Sequence, residues 1–116
     1  MDKIKKLSQA IRVGASFREQ AFGNFFQAGK SCALGAALEA LGIVKEVKQT
    51  TWGLSNSSCS DAMGTLVQRF PFLKEITHRT PGEDYSQVIV DLNDHDEWSR
   101  EKIADWLEEQ GYSNYG

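Results

Sequence analysis

Apolar residues near the N-terminus recur about three or four positions apart, with lysine, arginine and glutamine between them. This spacing places an apolar stripe along one face of a helix and predicts an amphipathic helix over about residues 2–20. The stripe consists of Ile4, Leu7, Ile11, Val13, Ala15 and Phe17. Gly14 lies inside this helix at a cost of about 1 kcal/mol relative to alanine. Its missing side chain would allow another backbone to approach closely.

A second helix is predicted between Ser31 and Gly42. The Ser31 hydroxyl can accept from the free amides of a first turn, and Gly42 can adopt the left-handed conformation that ends a helix. Because all residues between them except Glu39 are small or aliphatic, this helix should be buried on all sides. Its alanines should allow close crossing against Gly14 and Ala15. The aromatic residues expected to fill the core beside it are Phe22, Phe25 and Phe26.

The least regular pattern covers residues 43–60. Its composition predicts a long irregular segment or a short strand pair, with residues 55–58 as a loop. Ser60 or Asp61 can then cap a third helix that ends before Pro71. The inward-facing residues of this helix should be Met63, Leu66, Val67 and Phe70.

The next region predicts a turn over residues 78–84, followed by an ambiguous segment. Residues 85–92 have strand propensity at their centre, but their apolar positions also fit one face of a helix. We favour the helix, with Asp84 as its N-cap. Residues 93–94, Asn-Asp, then predict a turn.

A last helix over residues 100–110 is predicted from the Ser99 cap and the terminating Gly111. Trp98 precedes the cap and should pack on Ile103 as a hydrophobic staple. The core positions are Ile103, Trp106 and Leu107. The expected fold is therefore mainly α, a compact single domain of about five helices over residues 1–111. The tail over residues 112–116 should fray.

Composition places the chain among cytoplasmic globular proteins. It has 116 residues, a formal charge of −3 and two cysteines 27 positions apart. No leader-like apolar run and no stretch of about 20 apolar residues is present, so we expect neither a signal peptide nor a membrane span. The negative charge disfavours nucleic-acid binding, which normally needs a basic surface. The basic residues that could still serve it are Lys3, Lys5, Lys6, Arg12 and Lys30.

Gly23 and the Gly29-Lys30-Ser31 triplet resemble a phosphate-binding loop. Such a loop needs four residues between its first glycine and the Gly-Lys-Ser/Thr triplet, and it must connect a strand to a helix. Here five residues intervene and the preceding pattern is helical. A turn at residues 29–30 followed by a helix cap explains the segment better.

Residues 91–97, Asp-Leu-Asn-Asp-His-Asp-Glu, are rich in oxygen ligands. A calcium loop would require glycine where Asp96 lies and glutamate where Lys102 lies, so that template fails. A metal site of another kind remains open, with Asp91, Asp94, His95 and Asp96 as its candidates. We expect no cofactor.

Candidates for thiol or imidazole catalysis are Cys32, His78 and His95. A cysteine at a helix N-terminus gains reactivity, but the apolar neighbours of Cys32 predict burial. No sequence motif links Cys32 to either histidine. The two cysteines and two histidines also lack the spacing of a zinc site.

Two blocks of the chain, residues 32–42 (CALGAALEALG) and residues 92–107 (LND followed by WSREKIADWL), are similar to an uncharacterised family of small bacterial and phage-type proteins. That family pairs a "CALGA" helix with a C-terminal "LND…W.RE.IA.W" segment. The resemblance implies a helix leading into the Asn-Asp pair, and it brings no established activity.

These patterns favour a small non-enzymatic binding or regulatory protein that acts through contacts with an unidentified protein partner, as a monomer or homodimer. The expected contact surfaces are residues 45–60 and 91–97. The expected binding residues are Trp52, Asp94, His95, Asp96 and Trp98. One alternative is a small metal-dependent or His/Asp-based hydrolase that uses residues 91–96. Another is a nucleic-acid-binding accessory protein that uses the basic N-terminal helix.

Overall fold

Five α-helices form most of the structure over the residues that the computed structural model describes, which are 4–22, 26–27, 29–44, 56–77 and 82–109. The helices are α1 (Leu7–Ala15), α2 (Ala33–Ala40), α3 (Asn56–Arg69), α4 (Tyr85–Asp94) and α5 (Arg100–Glu109). A 3-10 helix, Pro71–Lys74, follows α3. The radius of gyration is 12.9 Å, close to the roughly 13 Å of a folded domain of this length. The predicted compact, mainly α domain is confirmed.

Helix α2 is buried against α1, as its small residues predict. A Cβ atom built on Gly14 would lie less than 3.0 Å from backbone atoms of Ala36. The two helices therefore touch backbone to backbone at this point, which only glycine allows. The core around them is completed by the buried side chains Leu7, Ile11, Leu34, Leu38, Leu66, Phe70, Leu73, Ile89, Leu92, Ile103 and Leu107.

The predicted start of α2 is wrong, whereas its predicted end is confirmed. Its N-cap is Cys32, whose Sγ accepts from the amide of Gly35 at 3.3 Å, so the prediction of a Ser31 cap is wrong. The C-terminal end is confirmed, since Gly42 has φ of 75°. The Gly42 amide donates to Glu39 O, and the Ile43 amide donates to Leu38 O. This double closure is a Schellman motif.

Helix α3 begins at Asn56, earlier than predicted. The expected loop over residues 56–58 is therefore wrong, and neither Ser60 nor Asp61 is an N-cap. Leu66 and Phe70 are buried, as the helical spacing predicted. Residues 45–55 lie outside the described residues, and with them most of the predicted irregular or hairpin segment.

Helix α4 confirms the helical interpretation of residues 85–92. Asp84 is its N-cap and accepts from the Gln87 amide at 2.9 Å. The expected turn at residues 93–94 is wrong, because α4 continues through Asp94. Helix α5 has the predicted cap, with Ser99 Oγ accepting from the Lys102 amide at 3.1 Å.

Helix α1 ends at Ala15, five residues before its predicted end. Phe17 and Phe22, both expected in apolar contacts, are exposed. The segment after α1 leads into a hairpin that the sequence did not predict, in which β1 (Phe26–Gln27) and β2 (Lys30–Ser31) pair antiparallel. Gly29 lies in the hairpin turn with φ of 79°, so the turn predicted at residues 29–30 is confirmed for Gly29 and wrong for Lys30, which is the first residue of β2.

Candidate interaction surface

Arg100, the first residue of α5, is buried and binds the chain after α1. The residue is 8% exposed. Its guanidinium donates to the carbonyl of Arg18 at 2.7 Å, to that of Ala15 at 3.4 Å, and to Ser31 Oγ at 3.0 Å. Burial lowers the pKa of Arg100, yet a guanidinium stays charged near neutral pH. The start of α5 is thus bonded to the end of α1 and to β2.

Asn93, in the last turn of α4, makes a second set of buried bonds. Its Nδ2 donates to the carbonyl of Ala21 at 2.9 Å, and its Oδ1 accepts from the Ala33 amide at 3.2 Å. Gln20 Nε2 donates to Asn93 Oδ1 and to the carbonyl of Trp98, each at 2.8 Å. One amide side chain therefore joins α4, α2 and the segment after α1.

Residues 17–22, which we call the aromatic segment, follow a fixed path without being helical. Two backbone hydrogen bonds with Ser31 hold the segment from the β2 side, in addition to the bonds from Arg100 and Asn93. Phe17 is nevertheless 52% exposed and Phe22 46% exposed. Two large rings thus face water from a backbone that is already ordered.

Arg18 fixes the same segment to α2 and to the hairpin. Its Nε and Nη2 donate to the two carboxylate oxygens of Glu39 at 2.8 and 2.7 Å, and its Nη1 donates to Gly29 O at 3.2 Å. The pair is largely buried, and a two-point bond of this kind orients both side chains. The charge of Arg18 is therefore neutralised beside the two exposed rings.

Residues 91–97, which we call the acidic turn, run next to the aromatic segment. Asn93 Nδ2, which binds Ala21 O, also donates to Asp94 Oδ1 at 2.7 Å. Phe22 follows Ala21 directly, so its backbone begins beside the Asp94 carboxylate. Arg18 is bonded to Arg100, Gln20 to Trp98, and Ala21 to Asn93. The two stretches therefore run antiparallel to each other.

Four of the five predicted binding residues belong to this surface or adjoin it: Asp94, His95, Asp96 and Trp98. The imidazole of His95 is 80% exposed, and Asp96 is exposed. The Trp98 ring is half-buried and lies 4.2 Å from Lys102 Nζ. Their role in binding stays a prediction, and Trp52 lies outside the described residues.

Glu83 and Asp91 form a pair of carboxyl groups that the sequence analysis missed. Glu83 Oε2 is buried and receives no hydrogen bond. A proton on Glu83 would let it donate to Asp91, and this hydrogen bond, followed by burial, raises the pKa of Glu83. Asp91 Oδ1 lies 4.0 Å from His95 Nε2 and accepts from Gln87 Nε2 at 3.1 Å. This arrangement can hold or exchange a proton.

Cys32 lies in the core, and its thiol is unsuited to nucleophilic chemistry. Burial raises the pKa of Cys32 to about 12, so the group is a neutral thiol at pH 7. A reactive cysteine needs an accessible thiolate. Its Sγ serves as the α2 cap instead. His78, one of the two candidates for imidazole catalysis, lies outside the described residues.

Two of the basic residues proposed for nucleic-acid binding lie beside carboxylates in the described part of the chain. Arg12 forms ion pairs with three carboxylates along α5: Glu101, Asp105 and Glu108. Lys30 Nζ lies 3.8 Å from Glu19, and Lys3 falls outside the described residues. The cation of Arg12 is thus enclosed by acidic groups, unlike a residue that contacts phosphate.

Within the described ranges, no three histidine, cysteine, aspartate or glutamate side chains are arranged to hold a metal ion. The metal candidates Asp91, Asp94, His95 and Asp96 are neighbours in sequence but do not form such a group. None of the described helices has the length and apolar character needed to cross a membrane.

No family model, curated protein or solved structure matches the chain.

Sequence reasoning missed the residues that organise this surface: Gln20, Glu83, Asn93 and Arg100. Arg100 carried a usable signal, because a cation at the first position of a helix opposes the helix dipole. A basic residue at the first position of a helix indicates that its side chain binds groups outside that helix. Asn93 carried no such signal, since its partners are distant in sequence.

Proposed function

We propose that the protein is a small non-enzymatic binding or regulatory module that contacts a partner protein through the aromatic segment and the adjoining acidic turn. The buried centres of protein–protein interfaces are enriched in aromatic residues, including phenylalanine. Association also costs less when the surface is ordered beforehand. Phe17 and Phe22 would make the main contact with the partner. The sequence analysis had instead placed these two residues in apolar contacts within the fold.

The observation that supports this proposal is the exposure of two phenylalanines on a buried polar framework. Arg100 and Asn93 donate hydrogen bonds to backbone carbonyl groups of the aromatic segment. Full burial of a phenylalanine contributes about 1.5–3 kcal/mol, and each of these two residues, being about half exposed, forgoes roughly half of that. A segment of this kind gains that free energy when a partner covers it.

The test is affinity capture from a lysate of the source organism with tagged protein. The test variant carries Phe17→Ser and Phe22→Ser. The matched control is Ile76→Ser, because Ile76 is 60% exposed and pairs with Asp84 at the opposite end of α4. We expect the wild type and the control to recover one stoichiometric partner and the double variant to lose it. Recovery of no stoichiometric partner, or full retention by the double variant, would refute the proposal.

The proposal also includes a cytoplasmic location and a monomer or homodimer. The buried free thiol of Cys32 fits a reducing compartment. The likeness to small bacterial and phage-type proteins stays part of the proposal.

One observation favours a second candidate, a metal-free hydrolase that uses the acidic turn. Glu83, Asp91 and His95 bring a carboxyl group of raised pKa, a carboxylate and an imidazole together, and such groups can serve as general acid and base. A screen of activated ester and phosphoester substrates tests it. Activity that is lost in Asp91→Asn and shifted in pH profile by Glu83→Gln would support this candidate, whereas an inactive wild type would exclude it for these substrates.

A further inference from the structure

The end of α1 carries no local stop signal. Helix α2 ends at Gly42 with a positive φ, whereas none of the described residues 4–22 has a positive φ. The residues after Ala15 are Ser-Phe-Arg-Glu-Gln, without glycine or proline, and the last three are good helix formers. The amides of residues 16 and 17 still bond to carbonyl groups three residues earlier, each at 3.1 Å. The backbone therefore keeps a helix-like turn beyond Ala15.

Tertiary hydrogen bonds draw the chain out of the helix instead. In a continued helix the carbonyl of Ala15 would accept from the amide of residue 19. In the structure this carbonyl accepts from Arg100 Nη2, as does the carbonyl of Arg18. Two backbone bonds with Ser31, at 2.8 and 2.9 Å, hold the same stretch on its other side. The path of residues 16–20 is thus imposed by α5 and β2.

The fold can exist without the bonds of Arg100. The acceptors of its guanidinium are three carbonyl oxygens and one hydroxyl, which carry no charge. Burial disfavours a charged group, and it lowers the pKa of Arg100. Replacing buried ionic groups by apolar side chains of similar size is often neutral or stabilising. Arg100 therefore acts as a clamp on the chain after α1.

Continuation of α1 would change the exposure of Phe17. Phe17 lies seven positions after Ala10, which is nearly two full helical turns, and three after Gly14. Ala10 and Gly14 belong to the buried side of α1. A longer α1 therefore places Phe17 on that buried side, whereas the ring is exposed in the clamped form.

We propose that residues 16–20 form a conformational switch, in which release of Arg100 lets α1 continue to Gln20 and turns Phe17 from solvent toward the packed side of the helix. The regulatory role of this switch rests on the proposed function, because the form with Phe17 exposed is the one that binds the partner. A ligand shifts an equilibrium only through different contacts with the two forms. A partner that covers Phe17 therefore favours the clamped form.

The experiment compares Cα chemical shifts of isotope-labelled wild type and Arg100→Met. In the variant we expect the Cα signals of residues 16–20 to move downfield, as in a helix, with sequential amide contacts through Gln20. The ring protons of Phe17 should be broadened less by a soluble paramagnetic probe than in the wild type. Amide exchange over residues 17–22 should still be faster, because the last turn of a helix frays. Arg100→Gln is measured beside it as a second release of the clamp.

Matched variants distinguish a longer helix from a segment that has only become disordered. In the Arg100→Met background, Glu19→Gly should reduce the downfield shift, since glycine disfavours a helix about fivefold, whereas Glu19→Ala should keep it. Glu19 is exposed, so neither change disturbs the core. The control for loss of an arginine is Arg69→Met, because Arg69 is exposed and donates to the carbonyl of Ile4 before the start of α1. It should leave the shifts of residues 16–20 unchanged.

Several outcomes would overturn the inference. Wild-type or random-coil shifts at residues 16–20 in Arg100→Met would show that α1 does not continue. An equal helical shift in Arg69→Met would mean that the response is not specific to the clamp. Loss of a folded amide spectrum in both Arg100 variants would make Arg100 part of the fold rather than of a switch.

The regulatory role has its own readout in the capture experiment. Arg100→Met should lose the partner although Phe17 and Phe22 are both present. Capture of the partner by a variant with helical residues 16–20 would refute that role. Failure of the proposed function is a different result, because the absence of any partner in the wild-type capture leaves the chemical shifts of the free variants unchanged.

Discussion

Gly14→Ala and Gly64→Ala are the same substitution in two helices, and the structure predicts opposite effects on stability. A methyl group on Gly14 would overlap the carbonyl oxygen, carbonyl carbon and Cα of Ala36. A methyl group on Gly64, within α3, meets no atom within 4 Å. Local helix propensity favours alanine at both sites by up to about 1 kcal/mol. The difference between the two variants therefore measures the contact between α1 and α2.

The expected loss of stability in Gly14→Ala depends on which atoms can shift to relieve the overlap. Overpacking a core typically costs about 1–3 kcal/mol, even when side chains can rearrange. At Gly14 the obstacle is the backbone of a buried helix, so α1 and α2 must separate, and the cost should reach the upper end of that range. After the gain in propensity, we expect Gly14→Ala to lower the free energy of unfolding by about 2 kcal/mol. Gly64→Ala should raise it by about 0.5–1 kcal/mol.

Thermal and urea denaturation followed by circular dichroism provide the measurement. For a domain of this length, about 2 kcal/mol corresponds to a fall of roughly 8 °C in Tm. Ala36→Gly should not rescue Gly14→Ala, because the overlap involves backbone atoms rather than the Ala36 methyl group. Rescue by that second substitution, or a Gly14→Ala variant as stable as wild type, would show that the helices do not meet as described.

Four further predictions follow from single side chains. Arg100→Gln should destabilise by about 2 kcal/mol, because it removes the side-chain donor from the half-buried carbonyl groups of Ala15 and Arg18, and should speed amide exchange over residues 17–22; unchanged exchange there would contradict the role of Arg100. Cys32 should not react with a thiol reagent at pH 7 until the protein unfolds. Because its folded pKa of about 12 exceeds the ordinary value of 9.0, Cys32 should make stability fall as the pH rises from 9 towards 12, and Cys32→Ala should remove that part of the pH dependence. Burial raises the pKa of Asp84, but hydrogen bonds from Ser86 and Gln87 outweigh it and lower the pKa below 3.8; Asp84→Ala should therefore cost about 1 kcal/mol at pH 7 and progressively less as acid titrates the wild-type carboxylate. Arg12→Ala should cost less than about 1 kcal/mol despite its three acidic partners, since exposed ion pairs contribute little; a loss of several kcal/mol would be inconsistent with solvent screening.

The helices that the sequence predicted well are those whose caps and spacing are local. Asp84 and Ser99 each bind an amide three residues later, so short-range chemistry was enough to place α4 and the start of α5. The end of α1 was predicted wrongly because Phe17 was placed on the apolar face of the helix, although it lies only two positions after Ala15, the last helical residue. A spacing of two does not fit a helical face, and it was the available signal that the helix ends near Ala15.

The candidate surface was harder to predict because distant residues determine it. Arg18 and Ala21 are fixed by Arg100 and Asn93, which lie more than 70 positions away. A turn interpretation of Asn93 used only its local propensity, whereas its side chain satisfies backbone groups on other elements. The acidic turn itself could be identified from composition, but its position beside the exposed rings could not.

The end of α1 connects stability to the proposed function. The carbonyl groups of Ala15 and Arg18 are those that an extended helix would use for its own amides, and Arg100 occupies both. A buried cation with hydrogen bonds only to carbonyl and hydroxyl groups is costly to place, because burial disfavours the charged form. The chain nevertheless places that cation where it keeps Phe17 and Phe22 outside the core. For stability alone, an apolar residue at position 100 and a longer α1 would serve as well, which favours a role for the ordered aromatic segment in contact with another molecule.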